Sequence, residues 1–236
     1  MENMGKEEAK VRIINASIQL FSEKGYDATR VNEIADAAGV NKALIYYYFK
    51  SKEDILDHLL QTFFKDVKEF SMNFIKSYIV EMIKAGRLDI EADRFHFTRK
   101  DDIENFLSGI RSYYGNIIDY IIEYRYIIRI LLLESLKDSK HKHDIFSLYN
   151  NFMIRSETNP FYKMIHDADA DFDISDYVEF KFFYSLIPML SFAAYYDDWK
   201  KIRGLNDEQL RASFRRALDN YVSLFVFGQD IIIEKQ

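Results

Sequence analysis

Residues Thr29 to Lys52, TRVNEIADAAGVNKALIYYYFKSK, carry two short helical patterns separated by a glycine. In the first, Val31, Ile34, Ala35 and Ala38 recur at helical spacing, and the Thr29 hydroxyl is a suitable acceptor for an unpaired first-turn amide. Gly39 is the residue type that tolerates a left-handed backbone at a helix end, Val40 can enter the core, and Asn41 can cap a restart. In the second helix Ile45 and Phe49 share one face, while Ala43 and Tyr47 point the opposite way, flanked by Leu44 and Tyr46. The outward face is apolar and aromatic where a solvated helix usually carries charge. Lys42, Lys50 and Lys52 flank it with no acidic residue among them, which suits a phosphate-bearing partner. On spacing alone, a helical hairpin whose tyrosines help fill a larger core fits as well.

The run Ile-Ala-x-x-Ala-Gly-Val from Ile34, then Ile45-Tyr46-x-Tyr48-Phe49-x-Ser51-Lys52-Glu53, resembles the N-terminal domain of the tetracycline-repressor (TetR) family of bacterial regulators. The resemblance implies an all-α chain with an N-terminal three-helix, helix-turn-helix DNA-binding domain at residues 6–52 (motif about 30–50). A C-terminal helical bundle for ligand binding and dimerisation follows at 53–236. It also implies site roles by motif position. Lys42, Ala43, Leu44 and Tyr47 are candidate base-edge contacts, Ala43 and Leu44 being able to touch thymine methyls. Thr29, Tyr46, Tyr48, Lys50 and Lys52 are candidate phosphate contacts, and Asn32 and Arg30 candidates for reaching a base from the preceding helix. Family members differ at Lys42 to Leu44, so the operator sequence does not transfer.

Composition agrees with helices nearly throughout: the 236 residues include only two prolines and eight glycines, with no Ser/Gly/Pro-rich linker, and 48% are apolar, enough for a substantial core. There is no cysteine, which removes disulfides, thiolate nucleophiles and the usual structural zinc sites and fits a cytoplasmic protein. The charged N-terminal stretch lacks a signal-peptide pattern, and no apolar run approaches the ~18–20 residues that would span a membrane. The formal charge of −6 argues against non-specific nucleic-acid binding over the whole surface, but leaves room for a small basic patch on a reading head.

Along the chain, Gly5 to Lys24 form a first helix with Val11, Ile14, Ile18 and Phe21 on one side, closed by Gly25 and Tyr26. Ser51-Lys52-Glu53-Asp54 resembles a capping box and opens a fourth helix through Ile55, Leu59, Phe63, Phe70, Phe74 and Ile75. The family resemblance makes this helix the mechanical link between head and body, resting on a phosphate through Lys52. Residues Gly86 to Lys100, GRLDIEADRFHFTRK, lose the pattern and read as a loop or short extended piece. Helical periods resume from Asp101 or Asp102 through Ile121, over Ile127 to Leu132, and over Ile145 to Ile154. Asp176–Lys200 and Glu208–Phe227 are apolar on more than one face, so each needs two partners. One side can pack on the chain's own bundle and the other on a second copy, as the last two long helices do in the family. Pro188, inside the first of these, predicts a bend.

No enzyme constellation is visible: there is no phosphate-cradling glycine loop, G-x-S-x-G or H-E-x-x-H. His166, Asp167, Asp169, Asp171 and Asp173 alternate like a calcium loop but lack its turn glycine and closing glutamate, and read as a solvated acidic loop leading to a Ser175 cap. His141 and His143 in KHKHD read as exposed. No metal and no cofactor is expected. The 17 tyrosines and 20 phenylalanines fall mostly in the body, and family members commonly enclose a ligand there. Phe74, Tyr78, Tyr113, Ile117, Tyr120, Tyr149, Met153, Phe180 and Tyr184 are the candidate lining of a pocket for a mostly apolar small-molecule effector. The expectation is therefore a homodimeric repressor, bound to a palindromic double-stranded DNA operator and released by that effector, with no membrane partner. An alternative from another class is a DNA-bound adaptor whose body is solid and binds a protein.

Overall fold

The structure, a computed structural model, describes residues 2–91, 94–154, 156–169, 176–227 and 231–233, with side chains described for 7–90, 95–147, 150, 154, 156–169 and 184–220. The elements in order are α1 (Glu2–Lys24), α2 (Val31–Ala38), α3 (Lys42–Tyr48), α4 (Lys52–Phe74), a π-helical turn (Ile75–Ile79), α5 (Val80–Lys84), β1 (Leu88–Glu91), β2 (Arg94–Phe97), α6 (Lys100–Glu123), α7 (Arg125–Ser135), α8 (Asp144–Met153), α9 (Pro160–His166), α10 (Asp176–Ala194), α11 (Tyr196–Arg203), α12 (Asp207–Phe227) and β3 (Ile231–Ile233). The protein is mostly helical, with an N-terminal helix-turn-helix domain and a C-terminal helical domain. Among the described residues no helix is long and apolar enough to cross a membrane.

The chain divides into two compact units, residues 1–67 with 124–145, and 68–123 with 146–236. In the first unit α1 packs on α2, α3 and α7. Its buried face is Ala9, Ile13, Ala16, Ser17 and Phe21, whereas Val11 is exposed. The expected stripe through Val11 is thus rotated. Two alanines and a serine, which a search for large apolar residues passes over, form the contact because small side chains let helices approach closely. Ile34, Ile45, Phe49, Ile55, Leu56, Leu59, Leu60 and Phe63 from α2 to α4, with Ile127, Ile128 and Leu131 from α7, complete the core.

In the second unit α6 packs against α10 and α12. Phe192 of α10 and Phe214 of α12 stack with ring centroids 3.7 Å apart. Residues 86–100, expected as a loop or short extended piece, contain two strands of a three-stranded sheet. β1 pairs antiparallel with β2, Asp89 opposite His96 and Ile90 opposite Phe95, and β2 pairs parallel with β3, Phe95 opposite Ile231. The reason is the period of two in LDIE and RFHF: Leu88, Ile90 and Phe97 are buried, and Phe95 and Phe97 each meet Phe106 of α6 at 5.2 Å. The expected single helix Asp176–Lys200 is interrupted at Tyr195 and restarts as α11, while α10 runs through Pro188.

Between α4 and α5 the hydrogen-bond spacing widens, the Val80 N–H donating to the Ile75 carbonyl. Such an insertion adds a residue to the turn and re-aims its side chains. Tyr78 leaves this turn to lie against Gly109 of α6, so closely that an added Cβ there would overlap the ring. The Tyr78 hydroxyl donates to the Asn105 carbonyl. Gly115, in the same helix, has no atom within 4 Å of an added Cβ. Gly109→Ala is therefore expected to destabilise the protein by about 2 kcal/mol through overpacking. Gly115→Ala is expected to stabilise it by about 0.5–1 kcal/mol through helix propensity. Urea unfolding midpoints of the two variants read the opposite signs directly.

Candidate nucleic-acid interface

Gly39 ends α2 with φ 64°, in the left-handed region, and the Val40 N–H returns to the Ala35 carbonyl at 3.0 Å. Asn41 then caps α3, its Oδ1 accepting from the Leu44 N–H at 2.8 Å. From the other side, Arg12 Nε of α1 donates to the Ala38 carbonyl at 3.1 Å and fixes the end of α2. Ile45 and Phe49, 1% and 3% exposed, seat α3 in the core. Ser51 caps α4 by accepting from the Asp54 N–H at 3.0 Å, and Asp54 accepts from the Lys50 N–H at 2.8 Å.

These anchors leave the opposite face of α3 outward. Tyr47 is 69% exposed and Tyr46 49%; Lys42, Ala43 and Lys50 are exposed, with Leu44 and Tyr48 half-buried. Tyr47 and Tyr48 meet edge to face at 4.9 Å, and Lys42 Nζ lies 5.9 Å from the Tyr46 ring. Asn32 and Arg30 are exposed on α2 and just before it. Nine of the eleven candidate DNA contacts are thus exposed or half-buried, on α2, on α3 and beside their ends.

Thr29 and Lys52 do not join it. Thr29 is 1% exposed, and its hydroxyl donates to the Gly25 carbonyl at 2.8 Å instead of accepting from α2. The N-cap position falls to Arg30, whose N–H donates to Glu33 Oε2 at 2.7 Å, and Glu33 is paired with Lys24. Lys52 Nζ donates to the carbonyls of Tyr26 at 2.7 Å and Thr29 at 2.9 Å, with that of Asp27 at 3.5 Å, and sits 4.1 Å from the centroid of the Tyr26 ring. Burial holds this ammonium below the ordinary lysine value. Both side chains are spent on the backbone of the α1–α2 connection, which a motif position cannot reveal because Lys52 and its acceptors are more than twenty residues apart.

Of the candidate effector-lining residues, the structure brings Phe74, Tyr78 and Tyr113 together. Phe74 stacks on Tyr113 at 4.3 Å and on Tyr78 at 5.4 Å. The Tyr113 hydroxyl shares a hydrogen bond with Ser71 at 2.8 Å, and burial pushes its phenol well above the ordinary tyrosine value. Ile117 is buried and Tyr120 half-buried on α6. Tyr184 is 66% exposed and cannot line an enclosed pocket; on a helix apolar all round, spacing does not say which face looks inward. The side chains of Tyr149, Met153 and Phe180 lie outside the described residues, as do Asp171, Asp173 and Ser175. An open cavity of about 460 Å³ lies elsewhere in this unit, among Pro188, Phe192, Tyr195, Trp199, Leu210 and Phe214.

His141, expected at the surface with His143, is 5% exposed. Its Nδ1 lies 2.7 Å from Asp144 and its Nε2 3.5 Å from Asp57 of α4. The stretch after α7 folds onto the start of α4, a placement that the lysine-rich sequence does not announce. Among the described residues no group of three or more His, Asp or Glu side chains is arranged to hold a metal ion.

Comparison with known proteins points the same way. Residues 13–59 match the family described as bacterial regulatory proteins, tetR family. The chain is 36% identical over 66 residues to the HTH-type transcriptional repressor KstR2 of Rhodococcus jostii, covering 28% of this chain and 32% of that one. It is 31% identical over 122 residues to IcaR, the HTH-type negative transcriptional regulator of the biofilm operon icaADBC in Staphylococcus aureus, covering 47% and 62% respectively. The chain spans less than two thirds of the length of the curated relatives it matches. Its fold is similar to that of a Clostridium perfringens structure named for a fatty acid metabolism regulator, with a TM-score of 0.52 at 16% identity over 94% of this chain and 100% of that one. At that identity the likeness is one of fold.

Because α3 has seven residues and depends on its cap, Asn41→Ala should cost about 1 kcal/mol of stability in urea unfolding, while Asn41→Ser should retain most of it.

Proposed function

We propose, from the match of residues 13–59 to the tetR family of bacterial regulatory proteins, that this is a TetR-type transcriptional repressor acting in the cytoplasm. It binds a palindromic DNA operator as a homodimer and leaves it when a small, mostly apolar molecule binds the second unit. The observation that carries this reading is the outward face of α3: two tyrosines, an alanine and a half-buried leucine, bordered by Lys42 and Lys50, held by anchors on the opposite side. A surface of that kind fits a major groove, where Lys42 can donate to guanine and Ala43 and Leu44 can meet thymine methyls. Tyr46, Tyr48 and Lys50 then lie at the flanks for phosphate, with Asn32 and Arg30 approaching from α2.

A second copy supplies the other half-site, about one helical turn of DNA away. Helices α10 and α12 are the proposed contact between copies, supported by the exposed Tyr184 of α10 and by the exposed Tyr195 and Trp199, which line the open apolar cavity. The aromatic cluster of Phe74, Tyr78 and Tyr113 supports an apolar effector. Release requires that the effector bind the DNA-incompetent arrangement better than the competent one. A swing from mostly bound to mostly released needs about 5 kcal/mol of differential affinity.

Selection by the purified chain from a random duplex library at near-physiological salt is expected to enrich a palindrome. Lys42→Ala and Tyr47→Ala should each lose about tenfold or more in affinity for it, as removal of a base contact does. A folded dimer that enriches no site contradicts the reading.

A further inference from the structure

Two lysines, one from α4 and one from the turn after α7, hold the same short connection. Residues Gly25 to Arg30 join α1 to α2, and their course sets where α2 and α3 stand against α1 and α4. From α4, Lys52 binds the Tyr26 and Thr29 carbonyls and covers the Tyr26 ring. From the turn after α7, Lys137 donates to Asp27 at 2.8 Å and to Glu134 at 2.6 Å. Glu134 is 2% exposed, so the far end of this chain of contacts is fixed in the core. Burial works against the Lys137 charge, yet its bonds to Asp27 and Glu134 raise its pKa above the ordinary lysine value. The Lys137 bond in turn lowers that of Asp27. Thr29 Oγ1 closes the connection on itself through the Gly25 carbonyl.

We propose that Lys52, Asp27 and Lys137 are positioning residues for DNA reading, a clasp through which α4 and the turn after α7 fix the pitch of α3, with neither lysine contacting DNA. This rests on the reading of α3 as the DNA-contacting helix. The Lys52 ammonium has its protons directed at carbonyls and its remaining side on an aromatic ring, so a phosphate would have to displace partners already in place. The Asp27–Lys137 pair is largely exposed and adds little to stability. Its consequence is geometric, because it ties the connection to a buried carboxylate more than a hundred residues away in sequence.

The test uses the full chain, the selected operator duplex and a random duplex over a range of salt concentrations, with Lys52→Met, Asp27→Asn and Lys137→Met, and Lys50→Met as a phosphate-contact control. Lys52→Met should weaken operator binding roughly tenfold or more, and Asp27→Asn severalfold. Neither should flatten the salt slope, which counts phosphate contacts. Lys50→Met should flatten the slope by about 0.9 and weaken both duplexes. Asp27→Asn separates the ideas most sharply: removing a negative charge tightens binding to a polyanion if charge alone matters, and weakens operator binding if position matters. It also keeps the Glu134–Lys137 pair, so it folds even if Lys52→Met does not. In the double variant Asp27→Asn with Lys137→Met, binding should be no weaker than in Lys137→Met alone. The proposal is overturned if Lys52→Met flattens the slope as Lys50→Met does, or if Asp27→Asn tightens operator binding. If Lys42→Ala and Tyr47→Ala bind like the parent chain, the reading of α3 fails first and the clasp falls with it.

Discussion

Burial of Ile45 and Phe49 is the contact on which the first unit turns. A helix of seven residues is too short to persist on its own hydrogen bonds in water, so α3 exists because one of its faces is embedded. That embedding also decides what the other face is free to do. With Ile45 and Phe49 inward, helical geometry sends Ala43 and Tyr47 outward whether or not water favours them. Gly39 and Asn41 fix the turn before it, and Ser51 with Asp54 fixes the restart after it, so the outward face is presented on a rigid support.

The support is larger than a three-helix head. Helix α7 and the turn that follows it pack into the same compact unit as α1 to α3. The turn reaches the head with a series of polar contacts: Lys137 with Asp27, Lys140 with Asp57 at 2.7 Å, and the buried His141 between Asp57 and Asp144. Helix α4 itself gives its first residues to one unit and its last to the other. The chain therefore passes between the two units three times, within α4, at the α6–α7 junction before Tyr124 and near the start of α8, and each is a covalent route by which a change in the second unit can reach the first.

Apart from the Thr29 cap, which passed to Arg30, local signals in the sequence translated directly into structure. The cap at Asn41, the left-handed Gly39, the Ser51 cap and the inward pair Ile45 and Phe49 depend only on neighbours within a turn or two, and each is where the sequence puts it. What depends on distant partners was not legible. Lys52 stands at a motif position that suggests phosphate, but its acceptors lie across the fold. His141 sits in a lysine-rich segment and is buried because α4 supplies Asp57. The alternation in LDIE and RFHF was visible, yet a strand needs partners, and one of these is Ile231–Ile233 near the other end of the chain. Val11 and Tyr184 show the limit of counting large apolar residues: on α1 small residues made the contact, and on α10 apolar residues on several faces hid which one is inside.

The central claim is that the outward face of α3 reads bases, and the most direct measurement is where that face touches DNA. A photo-crosslinking phenylalanine analogue placed at position 47, irradiated on a selected duplex, reports its nearest neighbour. The account predicts crosslinks to one or two major-groove positions in each half-site, related by the two-fold symmetry of the palindrome. Crosslinks spread evenly along the duplex, or confined to another chain instead of DNA, would contradict it.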